Sequence, residues 1–416
     1  MKYNITKEFA EELDEHDALA NYQQRFHFPV QKNGNKHIYF CGNSLGLQSK
    51  NTEEFVKQEL DDWKSLGVEG HLHARKPWLP YHEFLSESYS KIIGSKVSEV
   101  VAMNTLSVNL HLMMVSFYRP NSKRFKIVIE TDAFPSDIYA VESHIRHHGL
   151  EPSEALLKLH PRKGEVVIKT EDIISLINEN SDEIALVMLG GVNYYTGQVF
   201  DMKEITRVSQ DYGIMVGFDL AHAVGNISLS LHDWGVDFAV WCSYKYLNSG
   251  PGSVGGVFVH EKHHKSNLSR FAGWWGHDKE SRFQMPDQFN PINTAEGWQL
   301  SNPPILSLAA VRASLLIFDE VGMEDLVRKS KKLTSYLVYL MQSLSSKRIS
   351  VITPEARGCQ ISIRVKNGNK ALFNEITNRG VIADWREPDV MRVAPVPLYN
   401  SYLDVYNFYK ILEDIL

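Results

Sequence analysis

The chain has 416 residues, 43% hydrophobic and 23% charged, with no low-complexity tract: a globular composition, too long for a single core. A formal net charge of −6 argues against nucleic acid, and three cysteines (Cys41, Cys242, Cys359) without C-x-x-C spacing argue against a disulfide framework or a zinc site. No apolar run approaches the ~18 residues of a membrane span, and the acidic N-terminal segment does not read as a signal peptide, so a cytoplasmic protein is expected.

In chain order, Phe9, Leu13 and Ala20 recur one or two helical turns apart, so the first twenty residues read as an amphipathic helix. A short strand is expected at 38–40, then the turn-rich C-G-N-S-L-G. Ser49 can cap a helix whose apolar face is Phe55, Val56, Leu60 and Trp63, stopped near Gly67. The following G-V-E-G-H-L-H-A-R-K-P-W has no period, and irregular segments of this kind inside compact domains are more often functional than ordinary connectors. Tyr81, Phe84, Leu85, Tyr89 and Ile92 mark a helix closed by Gly94, and a short apolar run covers 100–103. Leu106, Leu110, Met113, Met114 and Phe117 again keep helical spacing. A helix starting at Thr105 or Leu106 presents free backbone N–H groups and a hydroxyl, an anion site suited to a phosphate.

Strands and helices then alternate. Strands are expected at 126–130, 166–168, 184–189, 214–218 and 238–242. Helices are expected from Pro135 to before Gly149, from Thr170 through Ile177, and after a cap at Asp201. This alternation implies an α/β fold, a mostly parallel sheet sandwiched by helices. A further strand at 256–259 is a candidate antiparallel neighbour. The aromatic R-F-A-G-W-W-G-H-D-K-E-S-R-F is irregular, and S-N-P-P-I opens a long helical region from 305 to about 344. Strand 361–365, helix 370–378, strands 381–385 and 391–393 and a closing helix make a smaller α+β C-terminal domain. The expected division is 1–50, an N-terminal segment packing with the small domain; 51–320, the large α/β domain; and 321–416.

The stretch from Gly217 to Gly256 concentrates the chemistry. Asp219 directly follows one apolar run and Lys245 closely follows another, with G-P-G-S-V-G-G beyond. Ligands of α/β proteins bind outside the carboxyl ends of the strands, so both residues should face one crevice. A lysine there can form a Schiff base, and an acid can hold a cofactor ring nitrogen protonated, so the pairing suggests pyridoxal phosphate. Ser243 and Tyr244 add hydroxyl donors, and the glycines permit close backbone approach. Plainer readings stand beside these: Asp219 as a cap for the segment from Ala221, Lys245 as a surface lysine, His222 as a core histidine. The glycine run lacks G-K-[ST] and precedes a strand, which speaks against nucleoside triphosphates. Cys359, opening an apolar strand, reads as packing rather than as a redox cysteine.

Several segments together carry a resemblance that covers Phe40 to Asn400: F-C-G-N-S-L-G-L-Q, N-T-L-S-V-N-L-H, F-P-S-D, Y-Y-T-G-Q, G-F-D-L-A-H-A-V-G-N, S-Y-K-Y-L-N, L-H-D-W-G-V-D-F-A, G-W-W-G-H, S-N-P-P-I and M-R-V-A-P-V-P-L-Y-N. The chain resembles the kynureninase family, pyridoxal-phosphate enzymes of the aspartate aminotransferase superfamily (fold type I). The resemblance implies that Lys245 bonds pyridoxal 5'-phosphate covalently, that Asp219 pairs with its ring nitrogen, and that His222 and Tyr244 line it. It implies that Leu106 and Ser107 contact the cofactor at a helix N-terminus and that Phe134 stacks on its ring, with Pro135, Ser136 and Asp137 alongside. Trp274 and Asn302 would reach its phosphate from a partner subunit, which implies a homodimer with shared sites. Arg392 would grip the substrate carboxylate, and Ser44, His71, Trp275 and Asn302 would surround the substrate. Gly190 departs from relatives that place a hydroxyl there.

The implied reaction is hydrolytic cleavage of the β–γ bond of L-kynurenine and/or 3-hydroxy-L-kynurenine. Its products are anthranilate or 3-hydroxyanthranilate and L-alanine, in tryptophan degradation or NAD biosynthesis, with Lys245, Asp219 and Tyr244 catalytic. Hydrogen bonds from His71 and Asn302 to a ring hydroxyl would favour the hydroxylated substrate. The alternatives are another fold type I enzyme, such as a cysteine desulfurase or aminotransferase, and a cofactor-binding sensor without turnover.

Overall fold

The computed structural model describes residues 3–416; Met1 and Lys2 lie outside the described residues. The N-terminal helix is Lys7–Glu15, shorter than the expected twenty residues. Just beyond it Asp17 turns inward to pair with Lys329 at 2.6 Å, both side chains almost closed to water, and that ion pair takes the chain off the helical path. After a 3-10 turn at Ala20–Arg25 comes β1 (Ile38–Tyr39).

Seven strands form the main sheet: β2 (Val100–Ala102), β3 (Lys126–Glu130), β4 (Leu156–Leu159), β5 (Ile184–Gly190), β6 (Met215–Asp219), β7 (Phe238–Trp241) and β8 (Gly256–Val259). Their order is β2-β8-β7-β6-β5-β3-β4. Strands β3 to β7 run parallel, and β8 is antiparallel to both β7 and β2. Helices cover both faces, so the strand interiors are apolar on both sides: Val128, Val187, Val216 and Val240 are all fully buried. This is the α/β architecture expected from the alternation. Parallel strands deliver their last residues to one edge, and there Glu130, Gly190 and Asp219 end three adjacent strands, Gly190 directly opposite Asp219.

Three further expectations are corrected. No strand forms at 166–168; the Gln198 side chain bonds the backbone N and O of Ile168, at 3.0 and 2.5 Å, in place of a neighbouring strand. The sheet edge is taken by β4 instead, a short strand with too little alternation to stand out. The helix Thr52–Leu66 exposes Leu60 and Trp63 and buries Glu59 and Asp62. Its polar face turns inward because the irregular 67–81 segment folds over it: Glu59 accepts from Trp78 Nε1 at 3.0 Å and Tyr81 Oη at 2.9 Å, and Asp62 from Arg75 Nε at 2.8 Å. The long helical region is two helices, Ile305–Val321 and Met323–Ser343, broken at Gly322, whose φ of 76° is left-handed.

The last quarter supplies β9 (Ile349–Val351), β10 (Ile361–Val365), β11 (Val381–Ile382), β12 (Asp384–Arg386) and β13 (Val390–Val393). The single strand expected at 381–385 is thus two: β11 pairs parallel with β1, while β12 joins a second sheet of order β12-β13-β10-β9. A separate apolar cluster underlies this sheet, drawing Leu333, Tyr336 and Phe408 together with Ala10 and Phe40 from the N-terminal segment. That segment is a strap: Ile38 and Phe40 donate to Gly380 and Ile382, Ala394 donates to Phe40, and Gly46 donates to the Tyr244 carbonyl at 2.8 Å. A Cβ at Gly46 would lie 2.4 Å from the Lys245 carbonyl oxygen, so only glycine allows this approach. Among the described residues no helix is long and apolar enough to cross a membrane.

Candidate active site

The site lies at the carboxyl edge of the parallel strands. Asp219 ends β6, and its Oδ1 accepts from the Ala221 N–H at 2.7 Å, so it caps the following turn and faces the crevice at once. Lys245 comes four residues after β7 in a turn closed by backbone bonds from Asn248 to Lys245 and from Ser249 to Ser243. Its Nζ lies 2.9 Å from His222 Nε2 and 5.9 Å from the centre of the Phe134 ring. One wall carries two helix N-termini. The helix Leu106–Phe117 has no side-chain cap among the described residues, and Pro135 opens the helix Pro135–His147. The Ser107 and Ser136 hydroxyls join the two at 2.9 Å. Leu106, Ser107, Phe134, Ser136, Asp137, Asp219, His222, Tyr244 and Lys245 therefore line one cavity, together with Glu130, Gly190, Val192, Tyr194 and Ala221.

Burial governs the charges here. It raises the Asp219 carboxyl, an effect opposed by Lys245, the Ala221 N–H and a hydrogen bond from Asp137. Asp137 is raised further, first by burial and then by the Asp219 charge, so Asp137 holds the proton of the pair. Burial also pushes Glu130 up to about 7, against hydrogen bonds from its own backbone N–H and the Gly190 N–H. His222 is held well below the usual histidine range by burial, then by the charges of Lys245, Arg392 and Arg386. A neutral His222 accepts from the Lys245 ammonium at Nε2, which leaves its proton on Nδ1. The Tyr244 hydroxyl is raised, first by burial, and stays protonated.

The other expected residues lie elsewhere. His71, Trp274, Trp275 and Asn302 line a second hollow with Val68, Leu72 and Phe283, so within one copy of the chain they do not meet Lys245. Ser44 is exposed on the strap and lines neither hollow. Arg392 is enclosed on β13, donating to the Tyr194 carbonyl at 2.6 Å and paired with Asp384. Glu130 and Tyr194 were missed. Glu130 carried the same signal as Asp219, an acid closing an apolar run; Tyr194 sits in a loop with no such signal.

Pyridoxal phosphate needs an amine for its aldehyde, an acid for its ring nitrogen and donors for its phosphate. Lys245, Asp219 and the paired helix N-termini answer these needs in one cavity. Asp137 Oδ1 and His222 Nδ1 are buried without a hydrogen-bond partner among the described residues, polar atoms suited to a polar guest. The residues fit the group.

Comparison with known proteins agrees. The kynureninase C-terminal domain family matches residues 326–412, and the DegT/DnrJ/EryC1/StrS aminotransferase family matches 83–230. The chain is 55% identical to kynureninase of Myxococcus xanthus, over 99% of this chain and 97% of that relative. It is 53% identical to those of Koribacter versatilis (98% and 97% covered) and Flavobacterium psychrophilum (99% of each). A cystine C–S lyase with glycine linked to its pyridoxal-phosphate cofactor aligns at a TM-score of 0.77 and 14% identity, over 91% of this chain and 97% of that one. The apo cysteine desulfurase of Thermococcus onnurineus aligns at 0.75 and 16%, over 97% of each. These two share the fold.

Proposed function

The chain belongs to the kynureninase family, pyridoxal-phosphate enzymes that cleave a carbon–carbon bond with water, and from that premise we propose a substrate and a role for each residue. The substrate is L-kynurenine, 3-hydroxy-L-kynurenine or both, split between the β and γ carbons. The products are anthranilate or its 3-hydroxy form and L-alanine, in tryptophan catabolism or NAD biosynthesis. The observation that carries the reading is one cavity holding the Lys245 amine, the Asp219–Asp137 pair and two helix N-termini.

Bound there, pyridoxal phosphate supplies an electron sink conjugated to the substrate's amino group. Asp219 keeps the ring nitrogen protonated, and Asp137, itself protonated, steadies Asp219. Leu106 N–H, Ser107 and Ser136 would hold the phosphate end, and Phe134 and His222 would flank the ring. Lys245 Nζ, set beside neutral His222, removes the α proton and carries protons onward. Water adds to the γ carbonyl, the β–γ bond breaks, and the Tyr244 hydroxyl delivers a proton to the β carbon. Arg392 receives the α-carboxylate.

Trp274 and Asn302, with His71, Trp275 and Ser44 around the substrate, serve the Lys245 cavity of a second copy in a homodimer. Their own separate hollow supports that reading, since a single copy leaves them without a reacting group. The chain divides into the segments 1–50, 51–320 and 321–416 and works in the cytoplasm. A desulfurase reading needs a reactive thiol, yet burial pushes Cys41 and Cys359 up to about 12 and also raises Cys242. The test is incubation of the holoenzyme with each substrate, following the aryl product by fluorescence and alanine by amino-acid assay. Release of both in equal amounts is expected, and release of neither from either substrate sinks the proposal. The ratio of kcat/KM for the two substrates assigns the preference; with His71 and Asn302 against the ring, the hydroxylated one is expected to lead.

A further inference from the structure

Strands β12 and β13 are antiparallel, with Asp384 opposite Arg392. Side chains alternate along a strand, so Asp384, Arg386 and Arg392 share one face. The result is a cluster with one acid between two bases. Arg386 Nη2 donates to Asp384 Oδ2 at 3.0 Å, and Arg392 Nη2 donates to that same oxygen. The side chains of Arg392 and Asp384 are 1% and 12% exposed and that of Arg386 37%, so the cluster carries an uncompensated positive charge largely withdrawn from water. The Nε atoms of both arginines are buried and have no hydrogen-bond partner among the described residues. One charge and two donors are thus left to be met by an anion.

The cluster lies against Tyr194, a residue of the Lys245 cavity wall. Both guanidinium carbons lie 5.8 Å from the centre of the Tyr194 ring, and Tyr194 lines that cavity and packs edge-on against Phe134 at 5.4 Å. The two arginines also act on His222, the residue in contact with Lys245 Nζ.

We propose that Arg386 is a second cation for the carboxylate of the amino-acid substrate beside Arg392, and that Asp384 is a positioning residue holding both guanidinium groups on one shared oxygen. This rests on the reading of the cavity as an amino-acid site and adds a specificity device to it. Two arginines and one aspartate leave a single positive charge, which one carboxylate neutralises and a second would overfill. The cluster therefore selects monocarboxylate amino acids over dicarboxylates.

The test uses the holoenzyme and two non-reacting probes, L-alanine and L-alaninamide, whose binding is read from the visible absorbance of the cofactor. Arg386→Gln should weaken L-alanine roughly tenfold and raise KM for kynurenine more than it lowers kcat, while alaninamide binding stays the same. Arg386→Lys, a charge without the planar fork, should recover part of the loss. Asp384→Asn should raise the affinity for L-aspartate relative to L-alanine, a gain that structural damage would not produce. Equal losses for alanine and alaninamide, or no loss for either, overturn the role of Arg386; an unchanged aspartate-to-alanine ratio overturns that of Asp384. Should Arg386→Gln fail to take up cofactor, the same two probes on Arg386→Lys decide, with a loss for alanine alone expected. Wild-type protein that binds alanine but releases no aryl product refutes the proposed reaction and leaves the carboxylate cluster standing.

Discussion

Among the described residues Lys245 is the only amine in a cavity that also holds three carboxyl groups, Glu130, Asp137 and Asp219. Replacing it by alanine should abolish the covalent cofactor band and cut turnover by at least about a thousandfold, read by absorbance and product assay. Tyr244→Phe should keep full cofactor occupancy and lose turnover; wild-type rates in that variant would remove Tyr244 from the proton path. Glu130 allows a pH test. Its pKa of about 7 lies above that of an unfolded glutamate, so the folded state binds the proton more tightly. Stability therefore falls as pH rises from the ordinary glutamate range to about 7 and flattens above it, by up to about 3 kcal/mol. Glu130→Gln, stripped of cofactor, should melt higher than the parent at pH 8 and lose that advantage at pH 5; an equal difference at both pH values would show that Glu130 does not titrate in this window. Asp219 and Lys245 were legible because each follows an apolar run that could only be a buried strand. Arg386 was not, because Arg392 joins it and Asp384 only across the pairing of β12 with β13.

Helix Thr52–Leu66 has its buried face where the sequence pattern points outward. Apolar periodicity reports an inward face only when the covering surface is apolar; here the covering segment brings Trp78, Tyr81 and Arg75, whose donors need acids. Glu59→Ala would strand the Trp78 N–H and the Tyr81 hydroxyl. The expected loss is about 2–4 kcal/mol by denaturant titration, and Glu59→Gln should restore part of it. Gln198 teaches the same lesson for strands: its amide gives Ile168 the bonds that a strand neighbour would, which no apolar pattern encodes. The parallel strands β3, β5, β6 and β7 and the longer helices between them were legible because burial on both faces writes continuous apolar runs.

At the scale of the molecule, the separation of the His71–Trp275–Asn302 hollow from Lys245 makes a prediction about assembly. Equal amounts of Lys245→Ala and Asn302→Ala protein, each inactive alone, should regain about a quarter of wild-type activity when subunits are exchanged, since half the dimers then contain one intact site. No regain would mean that each copy completes its own site. The resemblance carried this division of labour; composition and periodicity could not, because neither reports which copy a residue serves. The strap from Ile38 to Gly46 has a consequence for biosynthesis. The segments it pairs with, at Gly380, Ile382 and Ala394, follow it by more than 300 residues. The backbone leading to Gly46 thus stays unanchored at Ile38 and Phe40 until those segments have been made, so closure of the strap beneath Lys245 is a late step of folding.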